Sequence, residues 1–150
     1  MRALIQRVNY ARVRINHHEE REIGKGLLVL LGIEVEDDEA ELSWLTNKIA
    51  NLRIFDNEAG IMDRSLIDIG GELMLISQFT LHASTRKGNR PSYIRAARPE
   101  QAEPLYLAMK GNLEEAGVNK VVTGEFGAHM AIKLENDGPV SIMIDTMNKE

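Results

Sequence analysis

Apolar and polar residues alternate along the first part of the chain with the period of two that is typical of half-buried β-strands. Residues 2–8 (RALIQRV) and 11–16 (ARVRIN) both follow this pattern, and the residues between them indicate a tight connection or a β-bulge. Residues 26–33 (GLLVLLGI) are continuously apolar, which favours a strand covered on both faces. The pattern therefore predicts three strands before any helix.

Two later segments change to the helical period. The first helix is predicted from Asp37 and Asp38, which suit a helix N-terminus, to a point near Arg53. The second is predicted from Pro99, which is tolerated in a first turn, to Gly117, which suits a helix end. The apolar stripes are Leu42, Leu45, Ile49 and Leu52 in the first helix, and Leu105, Met109 and Leu113 in the second.

The remaining apolar runs predict four more strands. They lie at residues 70–81, 120–126, 129–136 and 139–145, and residues 56–60 (DNEAG) are a predicted turn. The order of elements is then ββ(β)αβαβββ, which lacks the strict alternation of a doubly wound sheet. We therefore expect an α/β protein: a single mixed-sheet domain with two main helices over residues 1–150, of which the last few form a tail.

Composition adds limits to this picture. A chain of 150 residues and 16.8 kDa is ordinarily one domain. No apolar run approaches the roughly 20 residues that cross a bilayer, so no membrane association is expected. The chain has no cysteine, which excludes disulfides and thiolate zinc sites and is compatible with a cytoplasmic location.

Charge is distributed unevenly along the chain. The net charge of −5 argues against indiscriminate nucleic-acid binding, and no DNA partner is expected. Residues 86–98, however, contain Arg86, Lys87 and Arg90 and no acidic residue. This basic stretch predicts a local site for an anion, although a solvated loop is the competing interpretation.

The strand that precedes the basic stretch ends in polar residues. Ser77, Gln78 and Thr80 follow a continuous apolar run, so hydroxyl and amide groups are predicted next to the basic stretch. On a continuing strand Thr80 and His82 would share a face, which makes a threonine–histidine pair geometrically feasible. An incidental surface histidine is the favoured interpretation of His82.

Other candidate motifs carry little signal. The chain contains no Gly-x-Ser-x-Gly elbow, no Walker loop and no His-Glu-x-x-His sequence. Residues 17–20 (HHEE) are adjacent and would point alternately to opposite sides of an extended chain, which favours a solvated turn. No metal site and no cofactor are predicted. Residues 136–141 (NDGPVS) suit a turn between two strands, and the Gly138-Pro139 bond is one where a cis peptide can occur.

Three motifs together resemble those of the D-aminoacyl-tRNA deacylases, also called D-tyrosyl-tRNA deacylases. They are residues 77–81 (SQFTL), 85–92 (TRKGNRPS) and 136–140 (NDGPV), in the order the family has them. The opening residues 2–8, the run at 26–33 and residues 126–128 (FGA) are also similar, so the resemblance extends to about Asp145.

The resemblance implies a homodimeric editing enzyme that cleaves the ester between a D-amino acid and the terminal adenosine of tRNA, and that also removes glycine mischarged on tRNA. The reaction centre would consist of Ser77, Gln78, Phe79 and Thr80. The Gly138-cis-Pro139 segment of the other subunit would reject L-amino acids, with Arg7 holding it in position and Met130 contacting substrate. The tRNA backbone would be bound by Arg86, Lys87 and Arg90.

Some features depart from the family or stay open. Ser141 stands where the family usually has threonine, and Asp63 follows Met62 where asparagine is more usual, which leaves fine substrate preference open. Thr80 is either a covalent nucleophile or a spectator, and the second is favoured because no base is paired with it in the sequence. A non-catalytic tRNA-binding dimer and a related deacylase acting on L-aminoacyl-tRNA are the alternative functions.

Overall fold

The computed structural model describes residues 1–149. It consists of a six-stranded mixed sheet, a separate two-stranded sheet and two main helices. The elements are β1 (Arg2–Ile15), β2 (Glu19–Ile23), β3 (Gly26–Gly32), α1 (Glu39–Asn51), β4 (Phe55–Asp56), β5 (Met62–Arg64), β6 (Glu72–Ser77), a 3₁₀ helix (Phe79–His82), α2 (Pro99–Glu115), β7 (Lys120–Thr123) and β8 (Met130–Asp145). The predicted mixed α/β fold with two main helices is confirmed.

The long strand β1 organises the main sheet. One of its edges pairs with β3 and then β2, and the other pairs with β8, all antiparallel. Beyond β3 the sheet continues through β6 to β7 with parallel pairing. The carboxyl ends of β3 and β6 therefore meet at one edge of the sheet, and β8 is a terminal strand with one unpaired edge in the described chain.

Apolar side chains form a core on each face of the sheet. On one face α1 and α2 cover β1, β3 and β6, as in the cluster of Ile5, Leu27, Leu75, Leu45 and Tyr106. The hydroxyl of Tyr106 donates to the Leu75 carbonyl at 2.8 Å, and burial raises the pKa of Tyr106 to about 12. The other face carries a smaller cluster that includes Met130 and Ile132 of β8.

Both helix predictions are confirmed, because each helix begins and ends close to the predicted residues. Asp38 is the N-cap of α1, and its side chain forms a capping box with Glu41. Pro99 occupies the first turn of α2. Gly117 follows the end of α2 with a φ of +100°, a conformation that glycine adopts without steric cost.

The amino-terminal strands differ from the prediction in two ways. Residues 2–15 form one strand rather than two, and the irregularity near Val8 is a bulge, one of the two predicted alternatives. The turn predicted at residues 17–20 ends at His18, and Glu19 begins β2. This strand escaped prediction because its only buried residue is Ile23, and its carboxylates form ion pairs across to Arg12 and Arg14.

The later strands also differ from the prediction. The strand predicted to reach Leu81 ends at Ser77, where the chain turns into the 3₁₀ helix. Thr80 and His82 therefore do not lie on one strand face, and His82 is buried rather than a surface histidine. Residues 136–141 are no turn between two strands, because β8 continues through them. Gln6 pairs with Ser141 and Val8 with Asn136, so that four residues of β8 lie opposite Arg7 alone.

The predicted tail begins with an ordered residue. Thr146 is buried, and its backbone N–H donates to the Met1 carbonyl at 2.9 Å. The ammonium group of Lys149 lies 4.6 Å from the centre of the Trp44 ring. The last residue of the predicted domain and tail, residue 150, lies outside the described residues. Within residues 1–149 no helix is both long enough and apolar enough to cross a membrane.

Candidate active site

A cavity of about 640 Å³ opens beside the carboxyl ends of β3 and β6. Its walls are mainly apolar, and its lining includes Ser77, Gln78, Phe79, Tyr93, Phe126 and Met130. Ligand cavities are typically apolar with a few polar groups that fix orientation. Four of the predicted site residues, Ser77, Gln78, Phe79 and Met130, are thus brought to one cavity.

The reaction segment (residues 77–80) is positioned by its own backbone. The N–H of Gln78 donates to the Leu31 carbonyl at 2.7 Å, which extends the pairing of β6 with β3 by one residue. The 3₁₀ helix then begins, and the Ala83 N–H donates to the Thr80 carbonyl at 3.0 Å. The side-chain amide of Gln78 donates to the Thr80 hydroxyl at 2.5 Å. Within residues 1–149 no imidazole or carboxylate makes a hydrogen bond with that hydroxyl.

Two residues are not predicted from the sequence: Tyr93, which lines the cavity, and Gly124, which contacts the lining residue Met130. Tyr93 directly follows the basic motif at residues 85–92 and packs against Phe79 in an edge-to-face pair, with ring centres 5.0 Å apart. Gly124 lies under Met130, where a Cβ atom would overlap the Met130 sulfur and approach Ile76. The aromatic residue after the basic motif was a usable signal for Tyr93. No sequence signal pointed to Gly124, because its role depends on a contact with another strand.

The basic loop (residues 84–92) lies next to this cavity. Ser84 and Ser92 exchange two backbone hydrogen bonds of 2.8 and 2.9 Å, which close the loop, and Tyr93 then enters the cavity wall. The predicted tRNA-binding residues Arg86, Lys87 and Arg90 are all exposed on it. A positively charged surface therefore adjoins the polar end of β6.

The Gly-Pro segment (residues 136–140) is fastened from behind by Arg7. The Gly138-Pro139 peptide is cis, and Gly138 has a φ of +129°. Arg7 is 6% exposed; its Nε donates to the Asp137 carbonyl at 3.1 Å, and its Nη1 donates to the Ile54 carbonyl at 2.6 Å. The guanidinium also forms ion pairs with the carboxylates of Asp137 and Asp56 at 3.1 and 3.4 Å.

Within one chain the Gly-Pro segment is remote from the reaction segment. Arg7 pairs with Leu27 at the start of β3, whereas Ser77 pairs with Leu31 near its end. Four residues of strand separate these positions by about 13 Å along the sheet. The structure therefore places Arg7, Gly138 and Pro139 together, but not with Ser77–Thr80 of the same chain.

One buried cluster offers ligand atoms for a metal. Glu34, Asp37 and His82 each present one such atom, and these atoms lie within 4.8 Å of one another. Both oxygens of Asp37 already accept, one from the Met1 ammonium and one from the Glu34 N–H. Glu34 is paired with the guanidinium of Arg95. Because two cations already balance the two carboxylates, a buried divalent ion would leave excess positive charge, which disfavours this use.

Comparison with known proteins agrees with the motifs. Residues 4–145 match the family model described as D-Tyr-tRNA(Tyr) deacylase. The chain belongs to this family. A relative from Parabacteroides distasonis that is named D-aminoacyl-tRNA deacylase is 56% identical over 153 aligned residues, which cover 100% of both chains. The resemblance stated from the sequence is thus confirmed, as is the predicted enzyme class, the D-aminoacyl-tRNA deacylases.

Two solved structures share the deacylase-family fold. One, described as a c-Myc DNA Unwinding Element Binding Protein, is 39% identical with a TM-score of 0.91 and covers 97% of this chain and 98% of its own. The other, a probable eukaryotic D-amino acid tRNA deacylase, has a TM-score of 0.84 over 95% and 97% of the two chains. At 14% identity the second likeness concerns the fold alone. The expected absence of a DNA partner stays a prediction.

Proposed function

We propose that this protein is an editing hydrolase that cleaves the ester between a D-amino acid and the terminal adenosine of tRNA. One observation carries this proposal: the polar end of β6, Ser77 and Gln78, lines a cavity that adjoins the exposed basic loop. An aminoacyl-tRNA end has a polar ester preceded by phosphates. Amides and hydroxyls beside Arg86, Lys87 and Arg90 match both parts.

The proposed chemistry needs few side chains. An aminoacyl ester is already activated, so the enzyme has to place it, direct a water molecule to its carbonyl carbon and stabilise the developing oxyanion. The bond to the ribose oxygen then breaks, and that oxygen takes a proton. The N–H groups of Phe79 and Thr80 are candidate oxyanion donors, since the first N–H groups of a helix have no acceptor within it.

Thr80 is assigned as a spectator in this mechanism. Its hydroxyl accepts a hydrogen bond from the Gln78 amide, and an amide cannot remove a proton from it. A threonine nucleophile needs a neighbouring base, and none contacts Thr80 within residues 1–149. The neighbouring ribose hydroxyl of the substrate is the alternative group that orients water.

The rejection of L-amino acids is assigned to the Gly-Pro segment of a second subunit. Because this segment lies about 13 Å along the sheet from the reaction segment of its own chain, a complete site needs two copies of the chain. Gly138 and Pro139 are exposed in the single chain. This exposure is expected of residues that face the cavity of another subunit. The half-buried β8 residues Val140, Ile142 and Ile144, on a strand with an unpaired edge, offer apolar area for a homodimer interface.

Selectivity would follow from the rigidity of this wall. A main chain held by hydrogen bonds from Arg7 cannot move away from an L side chain, which would overlap it. A D side chain would point out of the cavity. Glycine has no side chain, so a steric device of this kind would admit it. The enzyme is therefore expected to cleave D-aminoacyl-tRNA and glycyl-tRNA and to spare L-aminoacyl-tRNA.

The direct test is hydrolysis of matched D-, L- and glycyl-tRNA by the purified protein. Release of D-amino acid and glycine without release of L-amino acid is the expected result. Binding of charged tRNA without hydrolysis would favour the non-catalytic tRNA-binding dimer. Cleavage of the L-ester would favour the related L-deacylase.

Subunit mixing tests the two-chain site. Gln78→Ala damages the reaction segment and Gly138→Val damages the Gly-Pro segment, so each homodimer should be inactive. Random heterodimers of the two contain one site with both halves intact, and the mixture should regain about a quarter of the wild-type activity. A mixture that stays inactive after subunit exchange would contradict a site shared between subunits.

A further inference from the structure

Glu34 is a buried carboxylate that the proposed chemistry does not use. It lies two residues after β3 and is 3% exposed, and its Oε1 atom has no hydrogen-bond partner within residues 1–149. Isolated buried carboxylates are costly, so a buried charge is ordinarily paired or functional. The groups around Glu34 indicate what this charge does.

One neighbour of Glu34 lies two residues after the reaction segment. His82 ends the 3₁₀ helix that begins with Phe79 and Thr80, and its Nδ1 lies 4.0 Å from Glu34 Oε2. The ring packs against Gly32, where a Cβ atom would lie 2.9 Å from the imidazole and 3.0 Å from the Gln78 carbonyl. The imidazole therefore occupies the space between the β3 backbone and Glu34, directly behind the reaction segment.

The other neighbour follows the basic loop. Arg95 donates from Nε and Nη2 to Glu34 Oε2 at 3.1 and 2.6 Å. Its carbonyl accepts from the Val35 N–H at 3.1 Å, so the backbone is also attached beside Glu34. Tyr93, two residues before Arg95, contacts Phe79 in the cavity wall. A movement of the basic loop would thus reach both Glu34 and the reaction segment.

We propose that Glu34 is a positioning residue that couples the basic loop to the reaction centre. The same carboxylate oxygen of Glu34, Oε2, faces His82 on one side and Arg95 on the other. The attachment of the loop through Arg95 to Glu34 would hold the Phe79 and Thr80 backbone in position, whether or not phosphates are bound to the loop. This inference rests on the deacylase activity proposed above.

The test compares two substrates, D-aminoacyl-tRNA and the D-aminoacyl ester of adenosine, which has no phosphate for the loop to bind. Arg95→Met should lower kcat about tenfold on both substrates, the size of a typical coupling between sites. If Arg95 served tRNA binding alone, the substitution would raise KM for the tRNA and leave the adenosine ester unaffected. Arg95 suits the test because its own side chain is 56% exposed, and thermal unfolding measures how far the unpaired buried carboxylate of Glu34 destabilises the variant.

A second measurement isolates Glu34. Arg95→Met and His82→Asn should be non-additive in kcat in the wild-type protein and additive in the Glu34→Gln background, because removal of the charge removes the link. Glu36→Gln and Arg64→Met, both at exposed positions, are matched controls that should leave kcat unchanged. Thermal unfolding of every variant identifies a loss that is merely structural.

The outcomes separate the two proposals. If the wild-type protein cleaves neither substrate, the deacylase activity itself is wrong. If the wild type is active and Arg95→Met has wild-type kcat on the adenosine ester, the coupling role of Glu34 is wrong. Additivity of the Arg95 and His82 substitutions in the wild-type protein would overturn it as well, even where both variants are slow.

Discussion

The reaction segment and the Gly-Pro segment are built in opposite ways. The reaction segment ends an inner strand, β6, and is enclosed by its own chain through Leu31, His82 and the cavity wall. The Gly-Pro segment is a bulge within a terminal strand, β8, and Arg7 and its neighbours support it from behind. One region is enclosed by its own chain, and the other presents a backbone surface that no part of residues 1–149 covers.

This difference shows how the two tasks are divided. Chemistry needs donors held in place on all sides, which the inner strand supplies. Selection by handedness needs a stiff wall that approaches the substrate from outside, which a supported edge can supply. Changes to the Gly-Pro segment should therefore alter which substrate is accepted, and changes to the reaction segment should alter the rate for every substrate.

Gly138→Val should have the largest effect. A Cβ atom at Gly138 would lie 2.8 Å from the Val140 side chain and 3.2 Å from Arg7 Nη2, at a φ of +129° that L side chains rarely adopt. The segment must shift, and we expect D-aminoacyl-tRNA hydrolysis to fall at least about 100-fold, as for a misplacement of about 1 Å in an active site. Single-turnover deacylation measures this.

Gly60→Val is the matched control for Gly138→Val. Gly60 also has a positive φ, +75°, but a Cβ atom there meets nothing within 4 Å. The control should therefore carry the backbone strain and retain activity. Full activity of Gly138→Val would remove the Gly-Pro segment from the site.

Arg7→Met should change selectivity. It leaves the carbonyls of Asp137 and Ile54 without their donor, so we expect a loss of about 2–3 kcal/mol in the free energy of unfolding. With the wall loosened, the ratio of L- to D-aminoacyl-tRNA hydrolysis should rise about tenfold. Arg12→Met, which removes only exposed ion pairs with Glu20 and Glu22, is the control. An unchanged ratio in a destabilised variant would reduce Arg7 to a structural role.

Thr80→Ala, in the reaction segment, should have a smaller effect on the rate of hydrolysis. As a spectator, Thr80 loses one hydrogen bond with Gln78, and the rate should fall less than about tenfold. Thr80→Ser keeps the hydroxyl and should behave like the wild type. Near-complete loss of turnover in Thr80→Ala with retention in Thr80→Ser would instead identify Thr80 as the nucleophile.

The inner parts of the molecule could be predicted from the sequence, because burial imposes a regular pattern there. The continuous apolar run of β3 and the helices α1 and α2 are predicted from the sequence with nearly correct bounds. Four members of the candidate site, Ser77, Gln78, Phe79 and Met130, were named and do line one cavity. The motifs carried this result through the family resemblance rather than through spacing.

The edges could not be predicted in the same way. The strand β2 is polar because four of its five residues form ion pairs, so no alternation marks it. Residues 136–139 have turn chemistry, and only their pairing register with β1 reveals a bulge inside one strand. The burial of His82 depends on Glu34, which is 48 residues away in the chain and adjacent only after folding.

Asp145→Asn should have the smallest effect, at the end of β8. Burial acts to raise the pKa of Asp145, but hydrogen bonds from Arg2 Nε at 2.8 Å and from the Met147 N–H at 2.9 Å outweigh it and hold the pKa below its usual value. Because the pKa is lowered in the folded state, the contribution of this carboxylate to stability is present above the unfolded pKa of about 3.9 and is lost as the pH falls through the folded value.

The loss in Asp145→Asn should therefore be about 0.5–1 kcal/mol in the free energy of unfolding at neutral pH and should vanish in acid. Arg2 also donates to the Leu81 carbonyl at 3.0 Å, so this pair connects the end of β8 to the 3₁₀ helix of the reaction segment. Urea unfolding at pH 7 and pH 3 measures the difference, and Glu58→Gln, which removes an exposed carboxylate paired with Arg64, is the control. A loss that persists unchanged at pH 3 would mean that the charge of Asp145 is not what stabilises this connection.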